Sequence, residues 1–346
     1  MGPMPPLRPR SVLPLALWLA LAPATFAQAP PPAGEVPTFG ASTEMVYLRF
    51  HIERKKGEYV RGVAKDQLRV LEDGRPQAIA VLETPSMQER TVPPELTLAL
   101  DVSSSVMDAR LLDEKLVRDV LFASLHAQAR VGLCAFGGEL QCFTPPTRDP
   151  EAVLDGFHQA VDFGLRTRNT GTRLFASIAD IARGDRPGQD GGPPPPAGTA
   201  REKAQRAIVV FSDGLENQGG KWGLAARTAR DANVRVYTVL LSQAFQDTAR
   251  GAFMRGGPPN RAMYDYKKYD LGNVAEETGG LSFEPGTLDT KTLSDILRKI
   301  ATEISMENVV GYQPEGGPTG RKVTVKVELV DKSLGRIPDG QRTLVR

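Results

Sequence analysis

The spacing of apolar residues changes twice along this chain. Val46, Leu48, Phe50 and Ile52 alternate with Tyr47, Arg49, His51 and Glu53, which predicts a strand with one buried face. Strands over 68–72 and 77–81 flank Asp73-Gly74, a hairpin signal, and Pro76 belongs at a strand start or edge. After a linker over 85–94 the pattern becomes strand–helix–strand. Unbroken apolar runs at 96–100 and 207–211 read as strands buried on both faces. Further strands are expected over 131–136, 140–143 (an antiparallel edge), 234–241 and 281–283. Helical spacing and caps point to helices over 107–128, 150–161, 173–183, 221–232, 271–278 and 289–306. Residues 243–269 read as a long loop. Residues 184–199, with four consecutive prolines, read as a disordered surface insertion. Val323, Val325, Val327 and Leu329 then return to period two.

Strands alternating with helices predict an α/β fold, Rossmann-like, with a mostly parallel sheet and helices on both faces over 94–306. A small all-β domain is expected from the two ends, residues 43–84 and 307–346. Neither end alone is large enough to bury a core, so the two are predicted to pair.

Residues 1–27 read as a cleaved signal peptide. Arg8 and Arg10 precede an apolar stretch over 12–22. Thr25-Phe26-Ala27 supplies small residues for cleavage, with Ala27-Gln28-Ala29 as a second option. The apolar stretch is about half of the ~20 residues a spanning helix needs. Residues 28–42 form a flexible linker, and no later stretch is long enough to span a bilayer. The expected location is secreted or periplasmic. Of the 43 basic residues, Arg8 and Arg10 leave with the signal; the remaining 41 balance the 41 acidic ones. Neutrality argues against nucleic acid or an anionic membrane as a general partner.

The two cysteines, Cys134 and Cys142, fall on the arms of a hairpin turning at Gly137-Gly138. A three-residue turn sets Cys134 opposite Cys142 and permits a disulfide. A two-residue turn sets Cys134 opposite Gln141 and leaves two buried thiols. The three histidines show no metal-ligand spacing.

Three loops carry candidate chemistry, all expected to leave one edge of the sheet. The first holds Asp101, Ser103 and Ser105, the second Thr172, and the third Asp213. Two carboxylates and three hydroxyls are hard oxygen donors, suited to Mg²⁺ first, with Mn²⁺ or Ca²⁺ as alternatives. Two carboxylates neutralise a divalent cation, and neutral hydroxyls leave it avid for one more anion. The alternative for Asp101-x-Ser103-x-Ser105 alone is a helix-capping cluster.

This set resembles the metal-ion-dependent adhesion site of von Willebrand factor type A domains: Asp101-x-Ser103-x-Ser105, Thr172 after Gly171, and Ser212-Asp213-Gly214. Residues 68–77, Thr278-Gly279-Gly280 and Val309-Val310-Gly311-Tyr312 extend the likeness to secreted bacterial proteins related to that family. The resemblance implies that Ser103, Ser105 and Thr172 touch the metal directly, and that Asp101 and Asp213 act largely through water. A partner's Asp or Glu would complete the shell. Ser104 stands where the family often has Gly, and Ala176 where it often has an acid.

No G-x-S-x-G elbow and no Gly-rich phosphate loop with its Lys is present, and no His lies in the three loops. The expectation is an exported, non-enzymatic protein-binding module. The alternatives are an envelope structural module whose metal only stabilises the fold, and a metal-dependent hydrolase with Asp101 as nucleophile.

Overall fold

A computed structural model describes residues 45–55, 57–90, 93–103, 106, 115–167, 171–185, 205–241, 261–314 and 320–345, besides Gly2; for 261–269 and 345 this means the backbone. The signal peptide apart from Gly2, the whole 28–42 linker, residues 107–114 of the expected first helix, 186–199 of the proline insertion, 243–260 of the stretch read as loop, and Ser105 lie outside the described residues.

From the N-terminal side the strands are β1 (Val46–Phe50), β2 (Glu53–Lys55), β3 (Glu58–Tyr59), β4 (Leu68–Glu72), β5 (Arg75–Gln77), β6 (Ile79–Glu83) and β7 (Pro94–Asp101). Then follow α1 (Leu116–Phe122, wound as a π-helix), β8 (Arg130–Phe136), β9 (Leu140–Thr147), α2 (Pro150–Arg166), α3 (Leu174–Arg183), β10 (Gln205–Ser212), α4 (Trp222–Asp231) and β11 (Arg235–Leu240). The chain closes with α5 (Arg261–Thr278), β12 (Ser282–Phe283), α6 (Thr290–Ser305), β13 (Asn308–Tyr312), β14 (Lys322–Leu329) and β15 (Gln341–Val345).

The central sheet has the order β12-β11-β10-β7-β8-β9. All its pairings are parallel except β8 with β9. Every position of β7 is buried, as an unbroken apolar run in a central strand requires. Successive residues serve opposite faces. Leu96, Leu98, Leu100, Val209 and Phe211 pack with side chains of α1, α2 and α6. Ala99, Cys134, Ile208 and Val210 pack with α3 and α4 and with Leu271 and Val274 of α5. The fold is therefore α/β with helices on both faces.

The ends of the chain interleave in two antiparallel sheets. One has the order β1-β13-β6, the other β15-β14-β4-β5. Leu48, Phe50, Val70, Val310, Tyr312, Val325 and Val327 share one apolar cluster between them. A buried ionic group joins this β layer to the α/β part. Arg49 and Arg235 both pair with Glu307, and Arg235 reaches Asp339 at 2.7 Å. His51 is hydrogen-bonded at both ring nitrogens: Nδ1 to the Asp339 carboxylate at 3.0 Å, and Nε2 donating to the Glu303 carbonyl at 2.9 Å.

Two readings of the pattern are corrected. The expected strand over 77–81 divides at Ala78: β5 ends at Gln77 on the edge of one sheet, and β6 starts at Ile79 in the other. Ala80 and Ala78 supply too little apolar surface to hold one continuous face. The helix expected from Leu271 begins at Arg261, inside the stretch read as loop. Its polar first half, with Lys267 and Lys268, carries no clear apolar stripe to announce it.

Candidate metal centre

Counted from β7, the central sheet runs 3-2-1-4-5-6. The chain leaves β7 for β8 on one side and later returns to β10 on the other. The carboxyl ends of β7 and β10 therefore flank the switch point, where loops diverge and leave a crevice. Asp101 is the last residue of β7, and Asp213 directly follows β10. Both are buried, at 3% and 1% exposure, although strand ends ordinarily face solvent.

Asp101 is held at both oxygens. The Ser103 amide donates to Oδ1 at 2.9 Å, and the Ser212 hydroxyl donates to Oδ2 at 2.6 Å. The Ser212 hydroxyl also accepts from the Gly214 amide at 3.0 Å. Asp213 Oδ1 accepts from the Leu215 amide at 3.0 Å. Burial first, and the nearby Asp213 second, push the Asp101 carboxyl up to about 7. The hydrogen bonds from Ser103 and Ser212 pull it down without winning. Two acids thus share one buried edge, an arrangement that a divalent cation relieves.

Thr172 is positioned by the third loop. Its amide donates to Asn217 Oδ1 at 2.7 Å, and the Asn217 amide donates back to the Thr172 carbonyl at 3.1 Å. Gly171 before it has φ +93°, and a Cβ there would lie 2.8 Å from Asn217 Oδ1. Glu216 accepts from the Phe175 amide at 3.0 Å and the Gln218 amide at 2.7 Å. An acid therefore does meet the start of α3 near Thr172, but it comes from the third loop and not from position 176.

The structure brings Asp101, Ser103, Thr172 and Asp213 to the same sheet edge. Ser105 lies outside the described residues. Ser212, Glu216 and Asn217 are the positioning residues that sequence reasoning missed. Ser212 was visible only as part of Ser-Asp-Gly. The Asn217–Thr172 bond spans 45 positions and leaves no local signal.

The donor set is entirely oxygen. Among the described residues no group of three or more His, Cys, Asp or Glu is placed to hold a metal ion, and Asp101 and Asp213 are the two carboxylates of the three loops' candidate donors. Such a set fits Mg²⁺, Mn²⁺ or Ca²⁺, which take carboxylate, hydroxyl and water oxygens.

Residues 96–216 match the family model described as von Willebrand factor type A domain. No curated protein sequence matches this chain. Among solved structures, a von Willebrand factor type A protein from Catenulispora acidiphila is 12% identical, covering 88% of this chain and 74% of its own, at TM-score 0.41. An aerotolerance-related membrane protein from Bacteroides fragilis is 19% identical, covering 61% and 98%, at TM-score 0.37. The manganese-loaded TRAP protein of Plasmodium vivax is 14% identical, covering 73% and 93%, at TM-score 0.34. Likenesses this distant lend no weight to a shared role.

Proposed function

Because residues 96–216 form a von Willebrand factor type A-related domain, we propose that this chain is an exported, non-enzymatic protein-binding module. A divalent cation, Mg²⁺ foremost, is held by Asp101, Ser103, Ser105, Thr172 and Asp213. An Asp or Glu of a partner protein completes its shell. The observation that carries this reading is the pair of buried acids, Asp101 and Asp213, at the ends of adjacent parallel strands, with Thr172 tied to the same loops.

When bound, the cation supplies an electrophilic anchor for an anionic side chain. The chain's own residues do the rest. Ser212 and the Ser103 amide orient Asp101. Asn217 fixes the backbone that presents Thr172. The three histidines are engaged away from these loops: His51 with Asp339, His126 with the Met87 carbonyl, and His158 against Phe157. The Cys134–Cys142 disulfide supports export, since such bonds persist in oxidising compartments. Among the described residues no helix is long and apolar enough to cross a membrane.

The test is titration of Mg²⁺ or Mn²⁺ into chelated protein, followed by calorimetry and by Trp222 fluorescence, for wild type and Asp101→Ala. A chelator-sensitive pull-down from envelope extract accompanies it. Wild type should bind, and the variant should bind at least about ten-fold more weakly. Equal binding, or none at millimolar metal, sinks the adhesion-site reading. Partner capture that survives chelation points instead to a structural module whose β layer makes the contacts.

A further inference from the structure

The hairpin β8–β9 ends directly beneath the candidate metal loops. Its last residue before the turn, Phe136, accepts from the Val102 amide at 2.9 Å, just after Asp101. The first turn residue, Gly137, accepts from the Arg173 amide at 2.9 Å, just after Thr172. The Gly137 amide donates to the Glu139 carbonyl at 3.0 Å, closing the turn. One hairpin tip therefore holds both the first and the second metal loop.

β8 itself is set by β7, paired with it up to Asp101 opposite Phe136, so what the β8–β9 register decides is the turn from Gly137 onward. β9 is the edge strand, and its Pro145 and Pro146 bring no N–H to the ladder. The β8–β9 pairing is irregular between Val131 and Leu133 and again between Leu133 and Cys134. From there the register is Cys134 opposite Cys142, Ala135 opposite Gln141 and Phe136 opposite Leu140. The disulfide joins the first of these pairs, two residues from Phe136. Two residues are about 7 Å of strand. A slip by one residue would set Gln141 against Cys134 and rebuild the turn that aims the Gly137 carbonyl at the Arg173 amide. The two cysteines also share an apolar cluster with Leu174 and Phe175, at the start of the helix that follows Thr172. A loop of sequence separation 8 is short, so the bond restricts the unfolded chain less than a long-range disulfide would. Its main effect is local.

We infer that the Cys134–Cys142 disulfide positions the second metal loop, locking the hairpin turn so that the Gly137 carbonyl holds the loop of Thr172 in place. This rests on the metal reading above. The experiment compares oxidised wild type with the double variant Cys134→Val, Cys142→Val, which fills the apolar site without the bond. Mn²⁺ alone is the probe. Amide exchange at Val102 and Arg173 is followed by NMR, and folding by circular dichroism.

The expected result is a folded variant with Mn²⁺ affinity reduced at least about ten-fold and faster exchange at Arg173, while Val102, whose partner Phe136 stays on the β7 ladder, is protected as in wild type. Unchanged affinity overturns the inference, as does lost affinity with Arg173 protected as in wild type or with both amides loosened alike. Should the valine pair not fold, Cys142→Ala, which leaves β8 intact, is measured in the same way. If that also fails to fold, the disulfide is a requirement for folding and the positioning role is refuted. Wild type that binds no Mn²⁺ refutes the metal reading, whereas the two amides still report on the hairpin.

Discussion

Asp101 and Asp213 place two carboxylates together on one buried sheet edge. With its carboxyl pushed up to about 7 from an ordinary 3.8, Asp101 disfavours the metal-free fold as pH rises through that interval. A cation that binds only the folded state should offset this. At a hundred-fold excess over its dissociation constant it contributes about 2.7 kcal/mol, so added Mg²⁺ or Mn²⁺ should raise the melting temperature at neutral pH. Identical melting curves with metal and with chelator would count against a metal at these residues. Asp213→Ala should abolish that rise while leaving the chain folded. Ser212→Ala removes the 2.6 Å bond to Asp101 and the 3.0 Å bond from Gly214. It should cost about 1–3 kcal/mol and weaken metal binding about ten-fold or more. Wild-type metal affinity in Ser212→Ala would remove Ser212 from the positioning set. Asp101 and Asp213 could be read from strand ends alone. Ser212 could not, because its partner lies 111 positions away.

At the level of elements, the loops depend on backbone that only certain residues tolerate. Gly171→Ala places a Cβ 2.8 Å from Asn217 Oδ1 at a positive φ. The strain should be about 1–3 kcal/mol, and Thr172 should be displaced with it. Chemical denaturation and metal titration should therefore both register the change; a stable variant with normal metal affinity would contradict this. Gly280 is placed differently: a Cβ there would meet the Val236 carbonyl at 2.0 Å. Gly280→Ala should destabilise by about 1–3 kcal/mol or more without touching the metal loops, so its urea midpoint should fall while metal affinity per folded molecule holds. Helix starts such as Asp149 and Asp289 were legible because their side chains cap the next turn, on Glu151 and Thr292. The start of α5 was not, because Met263, Tyr264, Tyr266 and Tyr269 are mixed with Asp and Lys at no clear helical period.

Across the whole molecule, the β layer is fastened to the α/β part through buried charge. Arg49, Arg235 and Glu307 are almost fully buried, and Asp339, in the connection between β14 and β15, pairs with Arg235 to close the group. Burial alone would raise Glu307 and Asp339, but Arg235 overrides it and holds both below the usual carboxylate range. Their contribution is present above the unfolded carboxylate value and is lost as pH falls through the lowered ones. For His51 burial acts downward, yet the hydrogen bond to Asp339 leaves it above its ordinary 6.5. That contribution is complete below the unfolded value and fades as pH rises through the raised one. Tyr59 donates to Glu303 beside the same ring, and Arg235 faces it as a like charge. His51→Ala should therefore destabilise more near about pH 5.5 than near about pH 8.5, as read by urea midpoints; equal losses would refute the assignment. Glu307→Gln leaves two buried guanidiniums short of a carboxylate and should cost about 3–5 kcal/mol.

The amino-acid order alone determined the alternation of strands and helices, the two-face burial of 96–100 and 207–211, and the oxygen-rich composition of three loops. Those properties are local: apolar period, capping chemistry and side-chain type act within a few residues. The turn at 137–139 was left open between two registers, and pairing across the sheet selected the one that joins Cys134 to Cys142. Tertiary structure decided what crosses long separations. It divided the strand at Ala78 between two sheets, buried Asp101 and Asp213 at the switch point, and set Ser212 and Asn217 to hold the metal loops. Each of these depends on a partner tens to hundreds of positions away. A hydrogen bond or ion pair of that span is set by packing geometry, which no periodicity in the chain encodes.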